Sequence, residues 1–214
     1  MGSEDLFKKR KARRLKDQQR RIGFCQSYDR VLIVCDGEQT EPLYFESFKQ
    51  EYDLSSANVV VTDASKGSDP VSIIKQAEKL YKESQKENNA FDSVFCVFDK
   101  DQHGNYDNAV RMLSKVNSKF IAITSVPCFE YWFLLHFEYT TKSFPSASAV
   151  ISELKKHIPA YSKNNMRIFG TLNAQLQTAI QNAEKANESA KRAGTDNPST
   201  KVVDLVNYLL NLKK

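Results

Sequence analysis

At 214 residues the chain can bury one substantial core with room for a helical extension. No apolar run approaches the roughly 20 residues of a membrane helix, and the first residues lack the apolar block of a secretory leader, so a helical membrane protein is excluded and a cytoplasmic one expected. The formal charge of +5 is uneven: residues 1–21 hold nine Lys or Arg against Glu4, Asp5 and Asp17, a net +6, which leaves −1 for everything after them.

The basic character therefore belongs to an N-terminal arm, residues 1–24, and not to the body. Lys8, Lys9, Arg10, Lys11, Arg13 and Arg14 are its candidate nucleic-acid contacts, gripping phosphates without regard to sequence. Cys25, Cys35, Cys96 and Cys128 show no C-x-x-C spacing, and Cys35 and Cys96 sit inside apolar runs where a thiol acts as a small hydrophobe.

The first element is the short apolar run ending at Cys35, a strand buried on both faces and closed by Asp36-Gly37. Thr40 reads as the N-cap of a helix from Glu41 to about Tyr52, with Pro42 at its start. Residues 58–62 form a second strand, and Asp69-Pro70 opens a helix carrying Val71, Ile74, Ala77, Leu80 and Tyr81. A third strand, residues 92–98, runs into Asp99-Lys100-Asp101, and a helix holding Ala109, Val110, Leu113 and Val116 comes after it. Residues 120–124 form a fourth strand, followed by an apolar helix from Tyr131 to Phe137. Strands alternating with helices predict an α/β fold around a mainly parallel sheet of about four strands. From about Ser143 only helices are expected, at 147–157, 171–193 and 201–212, with irregular pieces at 159–165 and 194–200. Residues 25–140 are thus read as the α/β domain and 141–214 as a helical part packed on the same core.

Parallel strands share one direction, so their carboxyl ends lie along one edge, where α/β proteins bind ligands. That edge carries Asp36, Glu38 and Glu41 after the first strand, Asp99 and Asp101 after the third, and Glu130 beyond the fourth. Crowded carboxylates repel, and a hard divalent cation relieves them; oxygen ligands with few histidines select Mg²⁺ or Mn²⁺ over zinc. Glu130, between Phe129 and an apolar helix, needs a partner: the metal cluster, or an Arg or Lys. His136 reads as a packed core histidine and His103 as a loop residue near the acidic edge. Neither a G-x-x-x-x-G-K-[ST] phosphate loop nor a G-x-G-x-x-G fingerprint occurs.

Cys35-Asp-Gly-Glu-Gln-Thr-Glu-Pro-Leu-Tyr-Phe45, Phe98-Asp-Lys-Asp101 and Pro127-Cys-Phe-Glu-Tyr-Trp-Phe-Leu-Leu-His-Phe137 resemble the three signatures of the RloB-like family, which includes AbiLii-type abortive-infection proteins. Tyr161-Ser-Lys163, residues 179–183 and Asn197-Pro-Ser-Thr200 resemble further motifs of that family. The resemblance implies a Toprim-like catalytic fold, a setting in anti-phage defence, and a partner ATPase. It also implies that Asp36, Glu41, Asp99 and Asp101 ligate metal, with Glu130 a further ligand or a supporting group and Lys163 steadying charge on a phosphate. Where the family usually carries Glu after the Cys, this chain has Asp36, shorter by one methylene.

The expected activity is Mg²⁺-dependent cleavage of DNA or RNA, tRNA among the candidates. The alternatives are a non-catalytic module that binds nucleic acid or an ATPase, and phosphate transfer on a small nucleotide signal.

Overall fold

The structure, a computed structural model, describes residues 29–37, 39–55, 58–63, 69–100 and 104–212, with Ser114 by its backbone only. In chain order the elements are β1 (Val31–Cys35), α1 (Thr40–Glu51), β2 (Val59–Asp63), α2 (Pro70–Lys86), β3 (Ser93–Asp99), α3 (Tyr106–Val116) and β4 (Phe120–Val126). There follow α4 (Glu130–Leu134), α5 (Ala147–His157), α6 (Ile168–Leu172), a 3-10 turn (Asn173–Gln175), α7 (Leu176–Ala193), β5 (Ser199–Thr200) and α8 (Val202–Asn211). Among the described residues no helix is long and apolar enough to cross a membrane.

The sheet order is β2-β1-β3-β4-β5, parallel throughout except for β5. Because a strand buried on both faces needs apolar residues at every position, β1 reads as an unbroken apolar run, and all five of its residues are buried. Alternation still sorts them. Val31, Ile33 and Cys35, with Phe95 and Val97 of β3, face one layer; Leu32 and Val34, with Val94, Cys96 and Phe98, face the other. The second layer is completed by Ile73, Ile74 and Ala77 of α2 and Ala109 and Leu113 of α3. The first layer is much the larger, taking in α1, α4 and buried residues from all four helices after α4, so the C-terminal helices share a core with the sheet.

Aromatic packing locks the first layer together. The Tyr44 ring meets Phe129, Phe133 and Phe169 at 5.2–5.7 Å, and the Trp132 indole N–H donates to the Tyr44 hydroxyl at 2.9 Å. Such contacts fix relative orientation beyond simple burial. They hold the first turns of α1 and α4 in a set relation, and those turns carry Glu41 and Glu130.

Three expectations from the sequence are corrected. Strands do not stop before residue 143: β5 pairs antiparallel with Ser125 and Val126. Its two residues carry no periodicity and are defined by tertiary bonds alone. Ser125 and Thr200 hydroxyls meet at 3.0 Å, and the Asn187 amide both donates to the Thr200 carbonyl and accepts from its N–H. The apolar helix after β4 ends at Leu134 and not Phe137, because the next residues bond three back, His136 to Phe133 and Phe137 to Leu134. The helix placed at 171–193 is α6, a 3-10 turn and α7, closed by Gly194 at φ +67°.

His136 is buried, as expected. Its Nδ1–H donates to the Trp132 carbonyl at 2.9 Å, which leaves Nε2 unprotonated, and burial lowers its pKa from 6.5 to about 4. A neutral folded His and a protonated unfolded one mean that its contribution is complete above about pH 6.5 and is lost as pH falls toward 4. Denaturant titrations of wild type and His136→Asn should therefore diverge with pH: the wild type loses up to about 3 kcal/mol more than the variant between pH 6.5 and 4.

Candidate functional site

The strand order reverses at β1: β2 lies on one side of it and β3 on the other. In parallel α/β sheets the crevice beyond the carboxyl ends at such a switch point is where ligands sit. Asp36 follows β1 directly, and its N–H donates to the Val97 carbonyl of β3 at 2.8 Å, so the two strand ends remain zipped up to the acidic residues. Gly37 then turns the chain at φ +70°, a conformation that disfavours a side chain, and a Cβ there would lie 3.9 Å from Glu41 Oε2. Glu41 lies in the first turn of α1. Asp99 ends β3, shares the face of Phe95 and Val97, and accepts the Phe129 N–H at 2.9 Å. Glu130 opens α4 at 2% exposure.

Asp36, Glu41 and Glu130 are all buried, and the four carboxylates act on one another's charge. Burial, with Glu130 and Asp36 nearby, pushes the Glu41 carboxyl up to about 8. Burial, followed by Glu41 and Glu130, holds Asp99 well above the usual carboxylate range. Burial also raises the Cys128 thiol, with Glu130 and Asp99 adding to it, so this neighbour stays a thiol and not a thiolate ligand. Among the described cysteines Cys35, Cys96 and Cys128 are free and buried.

The Glu130 partner that the sequence called for is a pair. The Tyr161 hydroxyl donates to Glu130 Oε1 at 3.1 Å and Lys163 Nζ lies 3.8 Å from the same oxygen. Glu130 raises the Lys163 pKa, with Glu41 assisting, so this lysine is firmly cationic. Thr40 donates to the Lys163 carbonyl at 3.3 Å, which pins the loop onto α1. Two residues here escaped sequence reasoning. Thr40, read as an N-cap, is the first residue of α1 behind Gln39, and its hydroxyl serves the loop instead of the helix. Tyr161 was visible only as part of a motif; a lone Tyr in a Pro/Ser/Asn loop was its one local signal.

Asp36, Glu41, Asp99, Glu130 and Lys163 are thus brought into one neighbourhood from five segments. Asp101, Glu38, His103 and the arm residues Lys8, Lys9, Arg10, Lys11, Arg13 and Arg14 lie outside the described residues. Among the described residues no three His, Cys, Asp or Glu side chains converge as a ready ligand set. The donor chemistry nonetheless suits a hard divalent cation: the groups are all oxygen, buried or half-buried, and mutually repelling, with one lysine at the margin.

These features define a parallel α/β protein with an acidic site at its switch point. The chain belongs to the RloB-like protein family, matched over residues 31–209, from the first residue of β1 into α8. No curated protein matches it.

A raised carboxyl stabilises the fold fully below its unfolded pKa of about 4.5, and that contribution is lost as pH rises through about 8. In EDTA, Glu41→Gln should accordingly be more stable than wild type by about 1–3 kcal/mol at pH 8.5 and nearly equal to it at pH 4.5, read by thermal melts. Tyr161→Phe removes a donor from a buried carboxylate and should lower stability by about 1.5–3 kcal/mol in denaturant titrations.

Proposed function

We propose that this protein is a Mg²⁺-dependent nuclease, with Mn²⁺ an alternative ion, that hydrolyses phosphodiester bonds of DNA or RNA, tRNA included. The observation that supports it most is the burial of Asp36, Glu41 and Glu130, with half-buried Asp99, within reach of one another's charge at the switch point. Solvated surface acids would not be placed so; carboxylates kept together against repulsion serve a cation. Asp36, Glu41 and Asp99, with Asp101, would hold the ion, which when bound supplies Lewis acidity toward a phosphoryl oxygen and acidifies a water.

The remaining roles fall to the chain's own groups. Glu130, oriented by the Tyr161 hydroxyl, is a further ligand or the acceptor of the attacking water's proton. Lys163, cationic and 60% exposed at its side chain, would steady negative charge on the phosphoryl oxygens. The aromatic wall of Tyr44, Phe129 and Phe133 keeps the inner side of the site dry, which strengthens these interactions. Control by a partner ATPase and a role in anti-phage defence and abortive infection are part of this proposal on the strength of the family resemblance, and a cytoplasmic location is proposed with them.

A second reading, a non-catalytic module that binds nucleic acid or an ATPase, is favoured by two points. Asp36 reaches one methylene less far than the family's Glu, and the described carboxylates do not converge as they stand. The readings separate on plasmid DNA and total tRNA incubated with Mg²⁺, Mn²⁺ or EDTA. For the nuclease, cleavage requires the ion and Asp99→Ala lowers its rate by more than about 100-fold; equal binding by both proteins without cutting supports the module.

A further inference from the structure

We propose that residues 161–167 form a phosphate-binding surface at the mouth of the acidic site, with Lys163 and Arg167 as its cations and the sugar-phosphate backbone of a nucleic acid as its ligand. It rests on the nuclease reading of that site. A pocket of buried carboxylates repels a polyanion, so a phosphodiester reaches it only if cations stand beside it. The body of the chain has no net positive charge to offer, so those cations have to be local.

This segment is fixed to the site at its near end and to α1 at its far end. At the near end Tyr161 donates to Glu130 and the Lys163 carbonyl accepts from Thr40 at the start of α1. At the far end the Phe169 ring packs on Tyr44 and Phe48, one and two turns farther along α1, at 5.2 and 5.6 Å. The residues between therefore run along the flank of α1, away from the acidic cluster; Ser162, Lys163, Asn164, Met166 and Arg167 are exposed, Asn165 is half-buried and Ile168 is buried. Asn165 orders the turn: its N–H donates to the Ser162 carbonyl at 3.1 Å and its Oδ1 accepts the Arg167 N–H at 3.0 Å.

Charge points the same way. Between Glu153 and Glu184 the sequence holds no Asp or Glu. Several other basic side chains are already paired, Lys142 and Lys156 with Glu153 and Lys100 with Asp196. Arg167 forms no ion pair among the described residues. A planar guanidinium on an ordered turn suits bidentate phosphate contact. Met166, 72% exposed beside it, offers an apolar contact to a sugar or base. Of the acidic side chains of α1 farther along, Glu46 is paired with Lys49 and Glu51 accepts from Asn173.

The test is fluorescence anisotropy of the full chain with labelled single-stranded DNA and RNA of about 20 nucleotides, in EDTA, over about 50–300 mM KCl. Arg167→Ala should weaken binding by about 3–10-fold at about 100 mM salt and lower the slope of log affinity against log salt by about 0.7. Arg167→Lys should recover the slope, and the sugar type with the larger loss identifies the substrate class. Unchanged melting temperature, and an unchanged Mn²⁺-induced shift of it, exclude general damage. Wild-type affinity and slope in Arg167→Ala on both oligonucleotides overturn the surface, and if metal-dependent cleavage persists the nuclease reading stands without it. A wild type that neither binds nor cleaves overturns both.

Discussion

Repulsion between carboxylates that the backbone will not let apart is the constraint on which this structure turns. β1 and β3 are neighbours in a parallel sheet, and their pairing continues to the Asp36 N–H, so the acids that follow each strand emerge side by side. Helix α1 brings Glu41 over the same point and α4 brings Glu130. None of the four can relax outward, because each begins or ends an element whose other side is packed in the core. The result is protons held at unusually high pH and a lysine drawn to the margin.

The cost of that arrangement is met by the aromatic layer beneath it. Tyr44, Phe129, Trp132, Phe133 and Phe169 interlock α1, α4 and α6, and the Trp132–Tyr44 hydrogen bond satisfies both polar atoms inside an otherwise apolar layer. Position and chemistry are thereby divided between residues: apolar rings set where the helices start, and the first turns present the charged groups. The loop of Tyr161 and Lys163 ties the C-terminal helices into the same arrangement through Glu130 and Thr40.

Much of this was legible in the chain itself, and the limits have physical causes. β1 and β3 announce themselves because double-sided burial demands continuous apolar runs, and an acid at the end of such a run stands out. That a buried Glu130 requires a partner followed from the penalty on an unpaired carboxylate. That the partner is Tyr161 with Lys163 did not, since contacts across some thirty residues leave no local trace. β5 was missed for the same reason: two residues cannot display a period. The 3-10 break between α6 and α7 lies in a polar run whose composition suits a continuous helix, and packing of Phe169 and Leu172 decides it.

The small antiparallel strand also governs how the sheet meets other chains. An edge strand exposes backbone donors and acceptors that recruit further strands. β5 occupies those groups at Ser125 and Val126, and the Lys201 N–H takes the Thr124 carbonyl just before them. Sheet extension is thereby blocked along β4 at the end nearest the acidic crevice, while β2 forms the opposite margin of the sheet.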